Sequence, residues 1–362
     1  MKLKTSKEKL LEGIQIVQNV VSTRSTLPIL SNMLMETNAG KIKLNTTDLD
    51  IGISCEFPVE ILEEGSITIP AKRFSDIIKE LPAGEVTITT KKNNQIDIEG
   101  HKCRFKLIGI PKEEFPKFPE FKDKEVIKIK QKVLKEMLRL TSFAVSHEES
   151  RYILNGILME INDDQIRFVA TDGKRLAKIE KKVDLSTKKD LSVIIPLKAI
   201  HEIYRNLTDE GDVSFLTSTN QVLFDVDGIL IATRIIEGDF PNYQQVIPGP
   251  VSPKIQVDTQ QLLSAIRRAN LLATPEFQAI KVEVFSDKVV VSKITPDVGE
   301  SREEVPVEYG GKEMIIGFNP QFLIDVLKHI DDKMISVEVT GPDKPAVIRI
   351  GDYLYLALPM RI

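Results

Sequence analysis

Tryptophan is absent from the 362 residues, tyrosine occurs six times, histidine four times and cysteine twice. Each scarcity excludes something. Few aromatics argue against a surface that grips single strands by base stacking. Cys55 and Cys103 are too few for a disulfide framework and lack metal-ligand spacing. His101, His147, His201 and His329 stand far apart, so no pair has ligand spacing. No glycine-rich loop followed by Gly-Lys-Ser/Thr is present to cradle a phosphate. No apolar run approaches the roughly 18–20 residues that span a bilayer. The start, MKLKTSKEKLLEG, turns polar at once and has no signal-peptide core. No catalytic residue, metal or cofactor is therefore expected. The expected setting is a reducing cytoplasm, with no membrane partner.

What is present is enough for several globular cores. Apolar residues make up 42% and charged residues 28%, and the length suits two or three domains. The net charge of −4, taken alone, argues against a protein coated in basic surface.

The chain repeats itself three times, which decides the architecture. LPILSNMLMETNAGKIKLNTTDLDIGI from Leu27 matches RYILNGILMEINDDQIRFVATDGKRLA from Arg151, with Asp48 against Asp172. SITIPAKRFSDIIKEL from Ser66 matches SVIIPLKAIHEIYRNL from Ser192, and EMIIGFNPQFLIDVLKHI from Glu313 is a third copy. Leu10, Leu134 and Leu262 fall in register in three further matching segments. The boundaries are set at 1–120, 121–248 and 249–362. Proline-rich connectors, KEEFPKFPEFKDKE and EGDFPNYQQVIPGPVSPK, follow the first two copies. In the third copy a free C-terminal tail is expected in their place. Within each copy a short strand leads into an amphipathic helix, as at Leu10, Ile14, Val17 and Val21, and alternating strands and a second helix follow. The fold class is α+β: three repeated domains, each with two helices on antiparallel sheet.

Charge is unevenly placed. The predicted helices are 7–21, 71–81, 131–145, 197–207, 259–273 and 320–329, and they carry a net +6, leaving −10 for strands and loops. A surface built from those helices is positive on an otherwise negative body, which suits a protein that holds a polyanion in one place. Diffuse phosphate contacts carry no sequence information and permit movement along a duplex. Arg73, Lys135, Arg139, Arg205, Arg267, Arg268 and Lys328 are the helix-borne candidates, by charge alone.

The stretch VATDGKRLA, 169–177, raises a different possibility. An acid beside Lys174 and Arg175 has the ingredients of a phosphate-handling enzyme. A catalytic Asp172 would need a metal cluster or a nucleophile with its base. The equivalent Asp48 lacks the Gly-Lys-Arg sequel, which favours a turn role in which the carboxylate accepts backbone N–H bonds. Three functions stay open on residues alone: a protein that holds a polyanion on one basic surface, a phosphate enzyme on Asp172, Lys174 and Arg175, and a repeat scaffold that binds proteins without DNA.

The three degenerate copies, RYILNGILME, TDGKRLA, GDFPNY and the LPMRI terminus together make the chain resemble, from end to end, the bacterial DNA polymerase III beta subunit family of DNA sliding clamps. The resemblance implies a DNA clamp fold: a head-to-tail homodimer closed into a six-domain ring, with helices lining the hole. It implies a DNA-replication processivity factor that encircles double-stranded DNA without sequence preference. It also implies a cleft for short Gln/Leu/Phe-type peptides of the replicative polymerase, the clamp loader and other DNA-processing proteins. Carried over residue by residue, the cleft comprises Leu154, Thr171, Gly173, Lys174, Arg175 and Leu176, then Pro241 and Val246. Phe277, Asn319, Phe322, Val347, Leu358, Pro359, Met360 and Arg361 complete it. Leu176, Val246, Val347 and Met360 are expected as walls and Arg175 as the rim. Lys174, Gln245, Phe322 and Ile362 depart from the family's commoner residues. Arg24, Arg151 and Tyr152 join the DNA candidates, and the subunit joint is expected at Phe105 and Leu107 against Leu271 and Leu272.

Overall fold

The computed structural model describes residues 1–21, 27–119, 126–183 and 190–362. Among them are six α-helices: α1 Lys7–Val17, α2 Ala71–Glu80, α3 Gln131–Thr141, α4 Leu197–Asn206, α5 Thr259–Asn270 and α6 Pro320–Leu327. None of the helices is long and apolar enough to cross a membrane. Arg24 and the expected boundary at 120–121 lie outside the described residues.

Helix formation follows local chemistry. Ser6 caps α1 by accepting from Lys9 N, and Leu10, Ile14 and Val17 bury one stripe. Gly13 lets the Phe57 ring pack close, since a Cβ would stand 2.3 Å from it and the ring would have to shift. Asp258 caps α5 through Gln261 N, and Asn319 caps α6 through Gln321 N with Pro320 in the first turn. Several α-helices end earlier than the periodicity predicts. The 7–21 segment tightens into a 3₁₀ turn at Gln18–Val20, and the 131–145 segment does so at Ser142–Ala144. In the second case Thr141 Oγ1 donates back to Met137 O at 2.8 Å, a bond that competes with the helix ladder.

The chain forms two compact units, and they do not follow the repeats. The first contains described residues of 1–132 and 198–235. Its five-stranded sheet runs Glu60–Glu63, Lys2–Ser6, Glu85–Thr90, Gln95–Gly100, Cys103–Ile108. Its eight-stranded sheet includes Ile229–Arg234 beside Ile51–Pro58, paired antiparallel with Ile51 opposite Thr233 and Gly52 opposite Ala232. Helices α1 and α2 pack together in this unit.

The second unit contains described residues of 133–197 and 236–362. Its twelve-stranded sheet joins Arg175–Lys182 to Tyr353–Ala357, with Arg175 opposite Ala357 and Leu176 opposite Leu356. Helices α5 and α6 pack together. In both units a strand of one repeat therefore pairs with the last strand of the next, in the same register. This pairing draws the central repeat into two packing units.

Candidate functional site

The turn at 171–175 is a hairpin braced by its own polar side chains. Asp172 Oδ1 accepts from Lys174 N at 2.9 Å and Arg175 N at 3.0 Å, and Oδ2 accepts from Arg175 Nε at 2.9 Å. Thr171 Oγ1 donates to Arg175 O and accepts from Gly173 N. Gly173 has φ +86°, where a side chain is strained. The first repeat builds the same turn: Asp48 Oδ1 accepts from Asp50 N and Ile51 N, and Leu49 takes φ +83°. Asp172 thus spends its carboxylate on turn geometry, as Asp48 does.

Arg175 is the centre of a buried network. Beyond Asp172, its Nη1 donates to Asp325 Oδ2 on α6 at 2.7 Å. Its guanidinium carbon sits 4.7 Å from the Phe322 ring centroid and 5.8 Å from that of Phe143. Burial pushes the Asp325 carboxyl up, but hydrogen bonds from Arg175, Lys328 and Gln321 outweigh it and hold it below the usual range. His329 lies beside it, stacked on Phe143 at 4.9 Å and bonded through Nδ1 to Asp325 O. Burial pushes this imidazole down. Arg175 is 7% exposed, so it is not the open rim expected from sequence. Its planar, forked head lets it tie the 171–175 turn to α6.

Around this network the cleft residues divide into a floor and a surface. Leu176 and Val347, expected as walls, are buried in one apolar cluster with Leu158, Tyr243 and Leu356. Phe240 and Ile247 pack against it half-buried. Thr171 is buried, while Leu154, Asn319, Phe322, Pro359 and Met360 are half-buried. Gly173, Lys174, Pro241 and Arg361 are exposed, and Val246 and Leu358 leave large apolar surface open. Phe277 falls outside this cluster; with Ile294, Met360 and Arg361 it lines a separate cavity of about 400 Å³.

The C-terminal tail is not free. Leu358 N donates to Lys174 O at 2.9 Å, and Met360 N donates to Gly317 O at 2.8 Å. Gly317 permits this approach, since a Cβ there would stand 2.4 Å from Met360 O. The tail is thereby fixed beside Lys174.

The basic candidates differ in availability. Arg73 and Arg267 are exposed, and Tyr152 is open beside the loop. Lys135 is half-buried. Arg139 donates to His329 O and pairs with Asp331 at 2.7 Å. Arg151 pairs with Glu148 and donates to Asp172 O at 2.9 Å, bracing the turn. Arg205 is tied to Glu202 and to Ile16 O, Arg268 to Glu303, and Lys328 to Asp325 at 3.0 Å. Three of the five ion pairs, at Arg151, Arg205 and Lys328, join residues three apart, whereas the partners of Arg139 and Arg268 are distant in sequence and hidden from charge counting.

Two sheet margins are open among the described residues, and the first carries exposed apolar side chains. Cys103–Ile108 is an outer strand, with Phe105 38% and Ile108 66% exposed and Leu107 half-buried. In the second unit, Gly299–Glu308 pairs along residues 299–306 with Lys288–Thr295 on one side. On its other side it meets Ile255–Asp258 only at Val307 and Glu308. Just past α5, Leu271 is 81% exposed and Leu272 half-buried. Unpaired strand margins invite a further strand.

Family models of the DNA polymerase III beta subunit match three consecutive stretches: the N-terminal domain over 1–119, the central domain over 128–242 and the C-terminal domain over 244–361. The chain belongs to this family. Its fold is the repeated-domain α+β clamp fold. Among curated relatives of the beta subunit, the beta sliding clamp of Chlamydia pneumoniae is 31% identical over 363 residues, covering 100% of this chain and 99% of that protein. The beta sliding clamp of Bacillus subtilis is 31% identical over 376 residues and is covered completely. Among solved structures, the Pseudomonas aeruginosa sliding clamp bound to griselimycin superposes with a TM-score of 0.94 at 31% identity, with both chains fully covered. The Bacillus subtilis clamp gives 0.94 at 31%, covering 100% of this chain and 99% of that one.

Sequence reasoning missed Asp325, Phe143 and Tyr355. Asp325 is the sole acid on α6, at 7% exposure, and a lone carboxylate on an otherwise apolar helix is the signal that could have found it. Tyr355 donates to Phe322 O at 2.8 Å and so helps hold the aromatic face over Arg175.

Proposed function

We propose that the protein is a DNA sliding clamp: a non-enzymatic subunit with domains 1–120, 121–248 and 249–362, two copies of which close head to tail around duplex DNA in the cytoplasm. The end-to-end match of three consecutive beta-subunit domains carries this reading. Closure pairs the margin at Phe105 and Leu107 of one copy with the margin near Leu271 and Leu272 of the other. It gives processivity by topology, so each DNA contact can be weak. The contacts are to phosphates, with Arg73 and Arg267 the best placed because they are exposed. Replacing both with alanine weakens retention on DNA equally for all sequences. It lowers the slope of log affinity against log salt by about 1 for each phosphate no longer neutralised, without changing the dimer's mass. A sequence-dependent defect, measured by fluorescence anisotropy over a salt series, would contradict phosphate binding.

The cleft tethers the replicative polymerase and clamp loader through short flexible peptides. Val246 and Leu358 offer exposed apolar surface next in sequence to Ile247 and to Leu356 and Ala357, which belong to or adjoin the buried cluster of Leu176 and Val347. A short peptide buries little area and loses ordering entropy, so affinity is about micromolar. Two clefts per ring allow two partners at once. Deleting 358–362 abolishes binding of a labelled Gln-Leu-x-Leu-Phe peptide and keeps the dimer. Because the tail makes two backbone hydrogen bonds, the deletion also lowers stability by about 1–3 kcal/mol. Fluorescence polarisation with thermal unfolding tests both parts, and unchanged peptide affinity would move the site elsewhere.

A further inference from the structure

The first unit repeats the construction of the cleft at the joint between the first two repeats. Both joints have the aspartate-braced turn, at Asp48 and at Asp172. At both, the last strand of the next repeat pairs beside it, with Ile51 opposite Thr233 as Arg175 is opposite Ala357. Arg234 N donates to Asp50 O at 2.9 Å, as Leu358 N does to Lys174 O. Both also receive a Phe-Pro connector, Phe115-Pro116 and Phe240-Pro241. Phe118 lies under Lys43, 5.9 Å from its Nζ, where Tyr243 meets Arg167. Between these parts lies a cavity of about 180 Å³, lined among others by Thr46, Gly52, Phe118, Ala232 and Arg234.

Several matched positions differ. Gly52 stands for Leu176, Ala232 for Leu356, and Arg234 for Leu358. Phe118 takes part of the space this frees, since a Cβ on Gly52 would stand 3.2 Å from its Cε2. What remains is smaller than the roughly 300–1,000 Å³ of ligand pockets in general, and suits one side chain. At its mouth a cation, Arg234, replaces the aliphatic Leu358, with Lys117 also exposed, while the acid Asp50 stands where the cleft has Lys174. Among the described residues, no carboxylate forms an ion pair with Arg234.

We propose that this first joint is a second, smaller peptide groove, taking one leucine- or phenylalanine-sized anchor with a carboxylate next to it. The anchor enters beside Phe118 and Ala232, and the carboxylate meets the Arg234 guanidinium. The choice of a peptide rests on the cleft reading above; the cavity and its charge do not.

The test uses the full-length protein with labelled alanine and threonine methyl groups, titrated with N-acetyl-L-phenylalanine and separately with its amide. The acid saturably shifts the Thr46, Ala232 and Thr233 methyl signals, and the neutral amide binds about tenfold more weakly. Arg234→Leu removes the preference for the acid, and Ala232→Leu removes binding of both. Binding of the Gln-Leu-x-Leu-Phe peptide is measured on the same samples. It persists in both variants, which shows that they are folded. If that peptide binds while the first-joint methyls do not respond to either probe, this proposal fails and the cleft reading stands. If the peptide does not bind the parent protein, the cleft reading fails. Equal affinity for acid and amide, or an acid preference that survives Arg234→Leu, overturns the carboxylate assignment.

Discussion

Asp325→Ala destabilises the protein by about 3 kcal/mol, the loss expected when one partner of a buried ion pair is removed. Arg175 is 7% exposed and Asp325 equally so, and the charge left behind cannot reach bulk water. Asp172 still holds Arg175 Nε, which keeps the loss at the lower end of the usual range. The effect belongs to the pair, so Asp325→Ala in an Arg175→Met background costs much less than in the parent. The pH dependence has a definite sign. Asp325 is held below the ordinary carboxylate range, because hydrogen bonds from Arg175, Lys328 and Gln321 outweigh the upward push of burial. Its contribution is therefore complete above the unfolded value of about 4 and is lost as pH falls through the lower folded value. Urea unfolding at a series of pH values shows the gap between parent and Asp325→Ala narrowing in acid. A gap that stays constant down to pH about 3 would separate Asp325 from Arg175 energetically.

Phe105→Asp yields folded monomers, and so does Leu271→Asp. The outer strand carrying Phe105 is exposed in the single chain, so the substitution leaves the chain's own core untouched. In the dimer it buries a carboxylate in an apolar joint and forfeits a hydrophobic interaction of about 2–3 kcal/mol. A closed dimer contains the joint twice, so each substitution acts twice. A combined loss beyond about 4 kcal/mol raises the dissociation constant by roughly a thousandfold. Sedimentation at micromolar concentration reports the mass and circular dichroism the fold. A dimer that survives both substitutions would place the joint elsewhere.

The sequence makes the repeats visible because each copy repeats its strand alternation and its Thr-Asp turn. The Asp48 and Asp172 match also predicts a structural carboxylate, and both accept the backbone N–H bonds that such a role requires. The pairing of Ile51–Pro58 with Ile229–Arg234, and of Arg175–Lys182 with Tyr353–Ala357, leaves no local mark. Strand edges bond through the backbone, which every sequence carries. The same blindness hides the tail's bonds to Lys174 and Gly317 and makes it look free. Arg175 is legible as a cleft residue, but its charge suggests a rim. Its partner Asp325 lies 150 positions away, and only the fold brings the two within 2.7 Å.

Retention on closed DNA tests the ring most directly. The protein is loaded by its clamp loader onto a nicked circular duplex, filtered at high enough salt to strip weakly bound protein, and the circle is then cut once. The protein stays with the circle, leaves rapidly after linearisation, and remains on linear DNA whose ends are blocked by bulky proteins. Equal retention on circular and open linear DNA would mean that the protein grips DNA by surface affinity, and would contradict a sliding clamp.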